Sequence, residues 1–169
     1  IVYRISIQGQ GALSIQEILQ NCYRLAYRFS PPEFYDGYKF GAQSVRNSTR
    51  IIGRALLKNS LGIDIEGDLL DSPSKDLRDK FLLKKWGLLT ADFNIREPED
   101  QRVRSAWNVL ESKFEPGTKE LKVVNILITL FNVPYGYDYN TLTLILCAWI
   151  GYHLKDVDLC LGGKKISVD

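Results

Sequence analysis

The sequence predicts a mainly α-helical domain that closes with a helix-turn-helix and a small β-hairpin, in a winged-helix-like order. Three observations carry this prediction. Apolar residues recur at intervals of three and four through most of the chain. Capping residues or prolines bound those stretches. The densest apolar sequence, 119–167, ends in two short runs separated by Gly162-Gly163, a dipeptide that permits the positive φ values of a two-residue hairpin turn.

Val2 to Ile7 alternate as in a short strand that stops at Gly9-Gln10-Gly11. Ser14 and Glu17 form a capping box, opening a helix whose apolar stripe is Ile15, Ile18, Leu19, Cys22, Leu25 and Phe29. Pro31-Pro32 ends it. The connection to residue 40 clusters Phe34, Tyr35, Tyr38 and Phe40, as satellite core or as the lining of a groove. A second helix spans about 41–60 and buries Val45, Ile51, Ile52, Ala55 and Leu56. An acidic linker follows over 62–71.

Ser74 is expected to cap the next helix, with Leu77, Phe81, Leu82 and Trp86 inward and Gly87 as its C′ residue. Lys80, Lys84 and Lys85 complement the dipole of its last turns. Thr90 to Ile95 fit a brief strand. A helix starting around Pro98 runs through Phe114, with Val103, Trp107, Leu110 and Phe114 inward. Glu115-Pro116-Gly117 then divides a helical region, 1–118, from the winged-helix-like region, 119–169; the two are expected to form one compact unit. In the latter, Leu121, Val124, Ile126, Leu127 and Leu130 mark one helix, Pro134 ends it, and Asn140 or Thr141 caps another that runs to about His153. Val157 to Leu161 and Lys165 to Val168 supply the hairpin.

The chain has 169 residues, 45% of them hydrophobic, enough for a core without staples. Lys and Arg number 22 against 20 Asp and Glu, so any anionic partner must be met by a local patch rather than a global field. The three cysteines, Cys22, Cys147 and Cys160, lack CxxC spacing and suit buried thiols in a reducing, cytoplasmic setting. The longest apolar run, Leu142 to Ile150, falls short of the ~20 residues that cross a bilayer, so no membrane partner is expected. A chain that starts at Ile1 and contains no methionine reads as a piece of a larger protein, whose other domains would be its partners.

Catalytic motifs are missing. The sequence contains no phosphate loop, GxGxxG, HExxH or GxSxG. A single histidine, His153, leaves little from which to build a His-based site and suits a helix terminus. Asp64, Glu66 and Asp68 alternate and could meet a cation, but no metal or cofactor is expected and the chain reads as non-enzymatic.

The feature that points to a partner is Arg46, Arg50, Arg54 and Lys58. Spacing of four advances by about 40° around a helix, so these residues make a slanted cationic ridge. Neighbours on it repel by a few tenths of a kcal/mol per pair, and no acid lies between Lys39 and Asp64 to offset them. The ridge is a candidate contact for nucleic-acid backbone; the alternatives are a solvated face, pairing with Asp64, Glu66 and Asp68, or an acidic face of another protein or domain. Lys164 and Lys165 on the hairpin would add to backbone contact. The turn Pro134-Tyr135-Gly136-Tyr137 is a candidate interaction element, its tyrosines stacking on bases, packing on a partner or packing within the chain.

Pro134, Tyr135 and Gly136, followed by Leu142, Leu144, Leu146 and Ala148 and then Gly163, Lys164 and Ile166, resemble a segment of large ATPases from bacterial phage-exclusion systems of the BREX and Pgl kind. Val133 stands where that motif often has Pro, and the likeness spans about a quarter of the chain. The resemblance implies a non-catalytic accessory domain of a DNA-associated defence ATPase. Its nucleotide-binding residues have no counterparts here, because there is no phosphate loop.

Overall fold

The computed structural model describes residues 14–31, 43–62, 72–114 and 120–167. The expected strand at Val2 to Ile7, the aromatic connection over 32–40 and the acidic linker over 63–71 lie outside the described residues. Within them the chain is mainly helical, as its periodicity predicts. The order is α1 (Ile15–Ala26), α2 (Gln43–Leu57), α3 (Ser72–Asp76) running into a π-helix (Leu77–Lys85), α4 (Gln101–Lys113), α5 (Val123–Phe131), α6 (Tyr139–Tyr152) and the hairpin β1 (Cys160–Leu161) and β2 (Lys164–Lys165).

The core is built on α6. Nine of its 14 residues are buried, including Leu142, Leu144, Ile145, Ala148, Trp149 and Ile150. A helix that is apolar on nearly every side must be enclosed by its neighbours. α2 makes the most extensive of these contacts, and α4 adds Val103, Ala106, Trp107 and Leu110. All three tryptophans, Trp86, Trp107 and Trp149, are fully buried.

The π-helix explains how Leu77, Phe81, Leu82 and Trp86 reach one core face. At 100° per residue they would spread across about half the helix circumference. With the about 4.4 residues per turn of i→i−5 bonding, they fall within about 80°. The Trp86 amide accordingly donates to the Phe81 carbonyl at 2.8 Å. Gly87 follows at φ 58°, the left-handed stop that glycine allows.

Several boundaries move. Ser74 lies inside the helix that begins at Ser72, and is buried rather than capping. Asp100, not the Pro98 region, caps α4: its carboxylate accepts from the Arg102 and Val103 amides. Likewise Asp138, not Asn140 or Thr141, caps α6 by accepting from the Thr141 amide at 2.9 Å. In both cases the carboxylate stands two or three residues ahead of the amides it satisfies, the reach an N-cap requires. The expected strand at Thr90 to Ile95 reduces to one bridge, Leu89 to Ile95, closed around a tight turn. The hairpin forms where expected, with Gly162 and Gly163 at φ 58° and 77°, but each strand is only two residues long.

Burial departs from expectation in three places. α1 has its capping box, yet none of its residues is buried; Ile15, Leu19 and Leu25 are more than 60% exposed. Periodicity identifies the apolar face of a helix, not what covers it. On α5, Ile126 and Leu130 are buried while Val124 faces out. Of the cysteines, Cys147 is largely enclosed, Cys22 is half-buried and Cys160 is exposed, so buried thiols hold for one site of three.

Leu82→Ala is expected to cost about 2–5 kcal/mol in urea denaturation, the usual range for a fully buried leucine. A cost under about 1 kcal/mol would contradict the enclosed position that the π register gives residue 82.

Candidate nucleic-acid interface

The direction of the ridge follows from what α2 buries. Val45, Ser48, Thr49, Ile52, Gly53, Ala55 and Leu56 occupy one side of the helix. At 100° per residue they leave an open arc for Arg46, Arg50, Arg54 and Lys58, and all four are exposed.

Close packing holds α2 at this rotation. A Cβ added at Gly53 would stand 3.5 Å from Cys147 Sγ and 4.0 Å from Thr143 Cγ2, an ordinary contact. A Cβ at Gly151 would stand 2.0 Å from the Leu56 carbonyl oxygen, which no side chain tolerates. Backbone therefore lies against backbone at this crossing. Burial pushes the Cys147 thiol up to about 12, so it sits in the seam as a small neutral group.

The ridge cations differ electrostatically from the arginines of the π-helix, α4 and the loop between them, though not from Arg24 and Arg28, which are also exposed and pair with no described carboxylate. Arg78 pairs with Asp79, Arg96 with Glu99, Arg102 with Asp100 and Arg104 with Glu97, at 2.7 to 3.3 Å. None of the four ridge cations forms an ion pair with a described residue. Asp64, Glu66 and Asp68, the acids considered for pairing, lie outside the described residues. The hairpin lysines are also exposed, but Lys165 is tied to Asp158. Because α6 ends beside Leu56, the segment leading into the hairpin starts at the Lys58 end of the ridge.

The interaction turn is occupied by the chain itself. Pro134, after a cis peptide bond, accepts from the Phe29 amide at 3.1 Å, and the Phe29 and Tyr135 rings lie 5.6 Å apart. Gly136, at φ 64°, leaves space for Tyr27, whose ring would be 2.4 Å from an added Cβ. Tyr137 is buried and donates its hydroxyl to the Arg102 carbonyl at 2.9 Å; burial holds its phenol far above the usual range. Packing within the chain thus accounts for Tyr135 and Tyr137. The next alternate tyrosine, Tyr139, is 68% exposed.

One polar cluster has no local signature. Glu111 accepts from Trp149 Nε1 at 2.9 Å and contacts His153 Nε2 at 2.9 Å, joining α4 to the end of α6. Phe114 packs on Trp149 at 4.2 Å. The residues span about 40 positions in sequence; the available signal was that Glu111 with Phe114, and Trp149 with His153, share helix faces. His153 does cap α6, as its position suggested. Among the described residues no group of His, Cys, Asp and Glu could hold a metal ion.

Comparison with models of protein families, with curated proteins and with solved structures finds no match.

Gly151→Ala is expected to destabilise the fold by about 1–3 kcal/mol or more, because its methyl group meets a carbonyl that cannot retreat. Gly53→Ala is expected to be near neutral or stabilising, since it adds ordinary contact and helix propensity. Urea midpoints of the two variants test the seam, and equal costs would contradict it.

Proposed function

We propose that this chain is a non-catalytic module that contacts nucleic-acid backbone through Arg46, Arg50, Arg54 and Lys58. The observation that carries the reading is that four exposed cations stand in one row on α2 and pair with no described carboxylate, whereas Arg78, Arg96, Arg102 and Arg104 are each held by one. A row of like charges costs stability unless an anion offsets it. Phosphate groups at a surface do so and release their counterions. Lys164 would extend the contact, with Lys165 joining if Asp158 lets go. A buried, uncharged α6 supports α2, not α6, as the contacting helix. Recognition of backbone alone confers no sequence preference.

The resemblance to phage-exclusion ATPases, carried by the Pro134-Tyr135-Gly136 turn, α6 and the Gly163-Lys164 hairpin, extends this to an accessory domain of a larger DNA-associated, cytoplasmic ATPase. A second reading, a docking domain, draws on the open apolar face of α1 at Ile15, Leu19 and Leu25. A neighbouring domain of the same larger protein would cover that face and could present acids to the ridge.

Anisotropy of labelled oligonucleotides tests the first reading. Four phosphate contacts predict a log–log salt slope of about −3 to −4 and a loss of roughly a hundred-fold in affinity between about 50 and 200 mM salt. Arg50→Glu/Arg54→Glu is expected to abolish binding. Salt-independent binding, or full binding by this variant, would contradict a phosphate-contacting ridge.

A further inference from the structure

We infer that the ligand is single-stranded nucleic acid, with one base stacked on Tyr139 while its backbone follows Arg46 and Arg50. This rests on the reading of the ridge as a phosphate contact and adds an aromatic platform beside it.

The placement comes from the seam. Gly53 faces Thr143 and Cys147, and Leu56 faces Gly151, so α2 and α6 run alongside each other in the same direction. Tyr139, Thr143, Cys147 and Gly151 are spaced by four, and therefore lie on the row of α6 that faces α2. Arg46 stands seven residues before Gly53, about 10 Å along α2 at 1.5 Å per residue. Tyr139 stands about six residues before the midpoint of Thr143 and Cys147, about 9 Å along α6. The two are level at the same end of the seam.

Arg46 also lies on the α6 side of the ridge, about 20° around α2 from Gly53, with Arg50 about 60° around. Tyr139, at 68%, is the most exposed aromatic side chain among the described residues. The nearest acid in sequence, Asp138, is committed to the start of α6, accepting from the Thr141 amide and hydroxyl.

Cations that follow a backbone, beside an aromatic face, make up the sequence-tolerant single-strand platform. In a duplex the base faces are stacked on one another, so Tyr139 would find none to cover. The same cations therefore meet either form, but only the single strand gains the stacking contact.

The test compares a fluorescein-labelled oligothymidylate of about 12 nucleotides with an abasic oligomer of equal length, a site size within that of single-strand binders. Tyr139→Ala is expected to weaken oligothymidylate binding roughly five- to a hundred-fold, the range for losing one stacked base, and to leave abasic binding and the salt slope unchanged. Tyr139→Phe should retain parental affinity. Since Tyr139 is mostly exposed, both variants should keep the parental urea midpoint. If Tyr139→Ala binds oligothymidylate like the parent, or loses both oligomers equally, the stacking contact is wrong and the ridge reading is judged by its own salt and charge-reversal test. If the parent binds neither oligomer at about 50 mM salt, the ridge reading and this inference fall together.

Discussion

The close approach of α2 and α6 is the constraint on which the rest of the structure depends. At Gly151 the α6 backbone lies against the Leu56 carbonyl, and at Gly53 the α2 backbone opens space for Thr143 and Cys147. With a glycine on each helix, the axes come near enough to bury Ile52, Leu56, Leu144, Ile145 and Ala148 together. Turning α2 by one residue, 100°, would carry part of the cationic ridge toward this seam, where unpaired charge is costly. The packing that encloses α6 is therefore also what keeps the ridge in water.

Other parts of the fold serve the same core from a distance. The π-helix gathers Leu77, Phe81, Leu82 and Trp86 onto one face, and Glu111 ties α4 to Trp149 and His153 at the end of α6. The turn after α5 uses its glycine and two of its tyrosines to hold Tyr27, Phe29 and the Arg102 carbonyl. Tyr135 and Tyr137 of the turn are thus consumed inside the molecule, and Tyr139, just past it, is left open. α1 is attached at its C-terminal end but keeps its apolar stripe exposed.

What the sequence revealed was local. The Ser14–Glu17 box, the Gly87 stop and the Gly162-Gly163 turn each depend on a few adjacent residues, and each formed where those residues stand. The ridge was legible for a similar reason: spacing of four and an absence of acids over 40–63 are both visible in the string. The π register was hidden, because apolar residues at 77, 81, 82 and 86 nearly fit an α-helical stripe as well. The seam was hidden too, since Gly53 and Gly151 are about a hundred positions apart and nothing local distinguishes a glycine beside a carbonyl from any other helical glycine. The open face of α1 could not be foreseen from a pattern that states only which side is apolar.

The central claim is that α2 divides its labour, with one side packing and the other carrying charge for a ligand rather than for the fold. Urea denaturation of Arg50→Glu/Arg54→Glu tests it without any ligand. The substitution replaces three repulsive neighbours along the ridge by two attractive pairs, Arg46 with residue 50 and residue 54 with Lys58, and one repulsive pair. If the cations serve only a ligand, the variant should be as stable as the parent or a few tenths of a kcal/mol more stable, with an unchanged m-value. A loss of more than about 1 kcal/mol would show that the ridge helps to hold the fold, and would contradict the account.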